Sequence, residues 1–344
     1  MLARDLLKSL MPDKWKRMIR YQLVKTQVSH VHGPKTVQIS KDEAAVTCAV
    51  KNGEFYIESF INHYTQMGFR HIFFLDNGST DGTLSIARKY NYVSVFRSTL
   101  PIEAHQGLFK RYLASKIIGG GWCLDADIDE LFDYQSSENI GLQMFLQYLN
   151  REQYTAVITQ LLDMFSDNPL NSLGNKKQEK NIKAVYQHYD ISNIKKENYQ
   201  FSELGARFGS KNDISNNKTQ LIFGGIRKTL YGLNCLLTKH SLFLPQRELD
   251  LFPHVHFVNN AKLADISCIM LHYKLTSDAL KDALQNKEAF KGNSKGYIDF
   301  MEFILKKGGD QIKANSAVKF RTVNDLIESG FLFTSDKYRK YVGA

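Results

Sequence analysis

The chain of 344 residues contains no run approaching the roughly 18 to 20 apolar residues that a membrane span requires. Its six prolines are too few for a long proline-rich linker. Its four cysteines, Cys48, Cys123, Cys235 and Cys268, are too widely separated for a zinc site or a redox pair. Each lies in an apolar stretch, which predicts buried free thiols and favours a reducing compartment. No dinucleotide fingerprint or P-loop is present, and the triple glycine at 119–121 precedes its strand instead of joining a strand to a helix. Zinc-finger spacing, an aromatic–basic RNA motif and a long basic arm are all missing, so no nucleic-acid partner is expected despite a net charge of +10. The first residues do not read as a signal peptide, because Lys8, Asp13, Lys14, Lys16 and Arg17 interrupt any apolar region.

What is present is ordinary globular composition, 43% hydrophobic and 23% charged, with enough aromatics (22 Phe, 17 Tyr, 2 Trp) for a substantial core. The basic balance suits an anionic partner, with a nucleoside diphosphate and an anionic membrane equally eligible. Residues 2–24 form a basic amphipathic segment with Leu6, Leu7, Leu10, Met11, Trp15 and Met18 on one side. Two readings stand open for it: a helix lying on a membrane surface, or one packed on its own domain.

From residue 44 onward strand-like and helix-like segments alternate: strands at 45–50, 71–75 and 93–96, helices at 54–67, 84–90 and 104–118. Further strands are expected at 155–161, 221–225, 242–244, 254–258 and 267–273, and helices at 276–290 and 299–306. Alternation at this spacing predicts an α/β fold with a largely parallel sheet and crossover helices, in which ligands bind beyond the carboxyl ends of the strands. Residues 166–219 are rich in Asn, Lys and Gln and read as a polar insertion. The expected division is an N-terminal helical segment (1–40), a main domain (41–275, in halves 41–135 and 136–275) and a C-terminal helical tail (276–344).

The chemistry concentrates in residues 121–134, Gly-Trp-Cys-Leu-Asp-Ala-Asp-Ile-Asp-Glu-Leu-Phe-Asp-Tyr. Asp125, Asp127 and Asp129 at spacing two would share one face of a strand. Carboxylates gathered at a strand end need a cation, and hard oxygen ligands suit Mg²⁺ or Mn²⁺. A solvated acidic loop opening a helix is the alternative. Such a metal would need further ligands, with His272 the first choice and His256 the second. In the loop 76–83, Asp76 and Asn77 stand at a strand end where they could bond a nucleotide base, while Ser79, Thr80 or Asp81 could cap the next helix. In Gly224-Gly225-Ile226-Arg227-Lys228, glycine permits close approach and arginine offers a planar fork for phosphate, against the alternative of a solvated basic turn.

Together these residues resemble the family 2 class of nucleotide-sugar glycosyltransferases, in particular bacterial-type members with a GT-A fold related to family 92. The resemblance runs through Ala49-Val50-Lys51-Asn52, residues 64–68, residues 76–83, residues 124–132, residues 224–228 and Leu271-His272-Tyr273-Lys274, covering residues 44–275. Two positions depart from it: Asn77 stands where many such enzymes carry a second Asp, and Gly53 interrupts a Lys-Asn-Glu pattern. The resemblance implies a Rossmann-like, mostly parallel sheet flanked by helices. It makes Asp125-Ala126-Asp127 an Asp-x-Asp motif, with Asp125 on the donor ribose or the metal and Asp127 on the metal that bridges the diphosphate. Lys51, Asn52 and Asp76, with Asn77 beside them, would line the nucleotide pocket. Arg227 and Lys228 would hold phosphate, and His272 would complete the metal site or meet the leaving group.

The implied reaction is hexosyl transfer from a nucleotide sugar, UDP-sugar first, to a hydroxyl of a glycan or lipid-linked glycan, with inversion and with Mn²⁺ or Mg²⁺. Asp163 is the expected general base, with Asp167, Glu130 and Asp129 as competitors. A cytoplasmic place, with or without peripheral contact to the inner membrane face, goes with that reading. The alternatives are a non-catalytic glycan- or membrane-binding protein on the same fold, or a sugar-nucleotidyltransferase. The latter would need a Gly-rich basic loop where this chain has Lys51-Asn52-Gly53.

Overall fold

The computed structural model describes residues 13–173, 181–214, 216–246, 248–285, 295–312 and 314–343. A ten-stranded sheet dominates. Its strands are β1 (Ser29–His32), β2 (Ala44–Val50), β3 (His71–Asp76), β4 (Val93–Arg97), β5 (Trp122–Asp125), β6 (Glu130–Asp133), β7 (Ala156–Asp163), β8 (Asp213–Ile214), β9 (Thr238–Phe243) and β10 (Lys262–His272). The order across the sheet is β1-β4-β3-β2-β5-β9-β7-β10-β8, with β6 paired to β10. Strands β4, β3, β2 and β5 are mutually parallel, as are β7, β10 and β8. Between the two groups β9 runs antiparallel to both β5 and β7. The mostly parallel, helix-flanked α/β sheet expected from the sequence is therefore the one observed.

The sheet is buried on both faces, as parallel sheets require. On β3 every residue of His-Ile-Phe-Phe-Leu-Asp is buried. Ile72 and Phe74 enter one core with helix α1 (Ile57–Gln66), while Phe73 and Leu75 enter the other with helix α2 (Ile102–Ala114). Burying each Phe or Leu side chain contributes about 1.5–3 kcal/mol.

The acidic segment departs from expectation. Strand β5 stops at Asp125, whose neighbour Ala126 makes a last bond to the Thr47 carbonyl at 3.0 Å. A turn follows, closed by the Glu130 amide donating to the Asp127 carbonyl (3.0 Å) and the Asp127 amide donating to Glu130 Oε2 (2.9 Å). Asp125, Asp127 and Asp129 thus do not share a strand face, because turn bonding replaces the ladder after Asp125. Likewise 254–258 is not one strand but the hairpin Asp250–His254 and Phe257–Asn259.

Within the polar insertion, Ile194–Asn198 pairs with Gln220–Gly224, and β8 joins the main sheet; residues 174–180 and 215 lie outside the described residues. Within the N-terminal segment, β1 joins the sheet edge and Val37–Gln38 pairs with Ile117–Ile118, so 29–38 is strand-bearing rather than helical. The helix Asp13–Gln27 buries Val24 in the second core but exposes Trp15, Met18, Ile19 and Leu23. Leu6, Leu7, Leu10 and Met11 lie outside the described residues, as do 286–290 of the helix expected over 276–290. No helix among the described residues is long and apolar enough to cross a membrane. The C-terminal segment closes on the first core, where the buried Tyr338 donates to the Gln135 carbonyl at 3.0 Å.

Tyr64 on α1 fixes the strand that follows the acidic turn. Its hydroxyl donates to the Glu130 carbonyl (2.9 Å) and accepts from the Phe132 amide (3.1 Å). Tyr64→Phe leaves both buried backbone groups short of a partner and should cost about 1–3 kcal/mol in urea unfolding. A loss near zero would show that β6 holds its place without this bond.

Candidate functional site

The carboxyl ends of β2, β3, β5, β7 and β10 lie along one edge of the sheet, and the candidate residues gather there. Because β9 is antiparallel, its first residues reach the same edge, and this brings Lys239 among the acids. Lys110, from α2, approaches from one face of the sheet.

Two buried lysines take up the acidic motif. Lys110 Nζ lies 2.6 Å from Asp125 Oδ2 and 3.4 Å from Asp127 Oδ1. Lys239 Nζ lies 2.8 Å from Asp127 Oδ2 and bonds Glu130 Oε1. The lysine side chains are 1% and 4% exposed, whereas that of Asp127 is 32% exposed. Burial alone would discharge such amines, but the carboxylates outweigh it and raise both pKa values. Burial likewise works against the charge on Asp127, yet Lys110 and Lys239 hold its pKa well below the usual range.

A second network lies beside the first. Asp163 and His272 are register partners on β7 and β10. His272 Nδ1 is 2.5 Å from Asp163 Oδ1, its Nε2 is 3.4 Å from Asp129 Oδ2, and Arg227 Nε donates to Asp163 Oδ2 at 2.7 Å. Burial would lower the His272 pKa, but Asp129 and Asp163 prevail and push it up to about 9. Arg227 and His272 overcome the burial of Asp163 and hold its carboxyl well below the carboxylate range.

Two expected roles meet competing contacts in this geometry. Asp163 is not placed to act as a base, since both oxygens are committed and the side chain is 2% exposed. His272 is not placed to complete a metal site with Asp125 and Asp127, since both ring nitrogens face other carboxylates. His256, the second choice, is held neutral by burial and by the nearby Lys239 and Lys110. Its buried Nδ1 has no hydrogen-bond partner among the described residues, and neither has Nη2 of Arg227. Among the described residues no group of three or more His, Cys, Asp or Glu side chains is set to hold a metal ion. With both Asp127 oxygens and one of Asp125 already on ammonium groups, the donor set does not fit a divalent cation.

The nucleotide-pocket residues are engaged as well. Asp76 accepts from the Gly78 and Ser79 amides (3.2 and 3.0 Å) and pairs with Arg97 (3.3 Å). Asn77 donates to the Ser98 and Leu100 carbonyls, and Asn52, at φ +53°, accepts from the Thr80 amide (2.9 Å). Asn52, together with the Glu54 carboxylate on the Gly82 amide and the Asp81 carboxylate on the Glu54 amide, knits the 52–54 and 76–83 loops together. Lys51 at their edge is exposed, and Lys228 is half-buried one residue beyond Arg227. Gly224 (φ +96°) admits no Cβ, which would stand 2.5 Å from the Asn193 carbonyl oxygen, so this turn carries Arg227 up against Asp163.

Beyond Asp163, a cleft of about 380 Å³ opens between Phe165, Asp167 and His188 on one side and Gln311, Ile312, Ala314, Asn315 and Ala317 on the other. Asp167 is exposed there, 4.0 Å from His188. Lys110 and Lys239 were missed by sequence reading. Each sits in an apolar segment, and no spacing pattern marks a lysine destined to face carboxylates brought from other strands.

No family model and no curated protein matches the chain. Solved structures of glucosyl-3-phosphoglycerate synthase from Mycobacterium tuberculosis do match in part. The complex with Mn²⁺, UDP and glucosyl-3-phosphoglycerate is 19% identical, covers 35% of this chain and 44% of that one, and has a TM-score of 0.26. The complex with UDP is 19% identical over 38% and 47% of the two chains, with a TM-score of 0.25. The complex with Mn²⁺, UDP-glucose and phosphoglyceric acid is 18% identical over 38% and 46%, also at 0.25. The chain thus covers less than half the length of these structures, and a likeness of this extent says nothing of its activity.

The ion network predicts a pH-dependent stability. Because the His272 pKa rises from 6.5 to about 9 on folding, its contribution is complete below pH 6.5 and fades as the pH climbs through 9. The unfolding free energy in urea should fall by up to about 3 kcal/mol over that interval, and His272→Gln should flatten the fall. Asp163→Ala strands the Arg227 cation and should cost about 3–5 kcal/mol at neutral pH.

Proposed function

We propose that the chain is a nucleotide-sugar glycosyltransferase that moves a sugar from a nucleoside-diphosphate donor, UDP-sugar in the first place, to a hydroxyl of a glycan or lipid-linked glycan. The observation that carries this reading is the convergence of Asp125, Asp127 and Arg227 with the 52–54 and 76–83 loops on one carboxyl-end edge of a parallel sheet, the edge where such sheets bind ligands. The sequence resemblance to family 2 enzymes supports it independently. It also carries Mn²⁺ or Mg²⁺ with it. Since the donor set around Asp127 does not fit that ion, no catalytic step is routed through a metal.

The main barrier to sugar transfer is the negative charge that develops on the departing diphosphate. Lys110, Lys239 and Arg227 bring three cations to that edge, each fixed by carboxylates before any ligand arrives. Pre-set charge of this kind needs no reorganisation during the reaction. The loops around Asn52 and Asp76 would take the base and ribose with their backbone groups. With Asp163 committed to Arg227 and His272, the base role passes to Asp167, exposed in the cleft 4.0 Å from His188. There it would take the proton of the acceptor hydroxyl as that oxygen attacks the anomeric carbon. The exposed Trp15, Met18, Ile19 and Leu23 are the part of the N-terminal helix available for peripheral membrane contact.

The test is release of UDP from a panel of UDP-sugars, with and without added glycan acceptors. The wild-type protein should turn over at least one donor, and Asp127→Asn should lower the rate by about 10² or more. Asp167→Asn should lower transfer by about 10² to 10⁴ while leaving UDP affinity unchanged. No turnover of any nucleotide sugar, with no UDP binding, would contradict the assignment.

A further inference from the structure

The charge balance at the acidic motif bears on how a diphosphate is held, given the nucleotide-sugar assignment on which this inference rests. Lys110 and Lys239 stand where a bridging divalent ion would have to sit to use both Asp127 oxygens. Three carboxylates, Asp125, Asp127 and Glu130, face these two ammonium groups, so most of the negative charge that would draw a cation is already met. A lysine ammonium has three hydrogens in a fixed tetrahedron, and Lys239 commits two of them, to Asp127 and Glu130. Among the described residues its third meets no further acceptor, which leaves it for an anion. Arg227 points the same way: its Nε is held by Asp163, while its buried Nη2 has no acceptor among the described residues. An unpaired guanidinium hydrogen in a buried site is costly, and a phosphate oxygen would satisfy it.

We infer that Lys110, Lys239 and Arg227 hold the donor diphosphate directly, with Asp125, Asp127, Glu130 and Asp163 serving as braces for these cations, and that nucleotide binding needs no divalent ion. The Asp-x-Asp pair then orients lysines instead of coordinating metal. Asp127, the most exposed of the four braces, is the edge of the site that solvent reaches, and its charge is cancelled by an ammonium on each oxygen.

Calorimetric titration of the full chain with UDP tests this, once in EDTA and once in Mn²⁺. The expected result is the same affinity in both. Lys239→Gln should weaken UDP binding in EDTA about tenfold or more, the loss of one charged hydrogen bond. Since that variant leaves Glu130 short of a cation, circular dichroism must show it folded, and the wild-type comparison stands without it. Binding that requires Mn²⁺, or a folded Lys239→Gln that binds as the wild type does, overturns the inference and leaves the glycosyltransferase reading intact. Binding in neither condition overturns both.

Discussion

Two ammonium groups buried among three carboxylates set the terms for everything at the carboxyl edge of this sheet. A lysine at 1% exposure is tolerable only when its charge is met at contact distance, and Lys110 meets Asp125 at 2.6 Å. Removing either lysine leaves a buried carboxylate, Asp125 or Glu130, without its ammonium partner, so the network fixes the local backbone as well as the local field. The turn from Asp127 to Glu130 shows the coupling: the Glu130 carboxylate takes the Asp127 amide with one oxygen and Lys239 with the other. The strand after this turn is thereby aimed at β10, where it pairs through Glu130 and His272.

The antiparallel strand β9 is the topological device behind this. A parallel neighbour would present its first residues at the far edge of the sheet. Run in reverse between β5 and β7, β9 delivers Lys239 to the carboxyl ends of both. The Asp163–His272 register then continues the line of charge across β7 and β10 to Arg227, giving two adjacent networks whose cations alternate with acids.

Much of the fold was legible in the sequence because hydrophobic period and turn chemistry are local. The strands around Val46, Phe73 and Val95, the helix around Phe60 and the parallel crossovers all follow from them. Asp125 and Asp127 were legible as an acidic motif at a strand end. Their partners were not, since Lys110 and Lys239 lie 15 and 112 positions away from the acids they bond. The partners of Asp163 and His272 were hidden for the same reason: residue type shows the chemistry, but not the pairing across strands that engages it. The strand break after Asp125 was hidden because spacing two reads alike in a strand and in a turn.

The most direct measurement is a crystal structure of the protein with UDP bound. The uracil is expected against the 52–54 and 76–83 loops, with the diphosphate within hydrogen-bond distance of Lys239 and Arg227. UDP seated elsewhere on the molecule, or with its diphosphate turned away from these cations, would contradict the assignment.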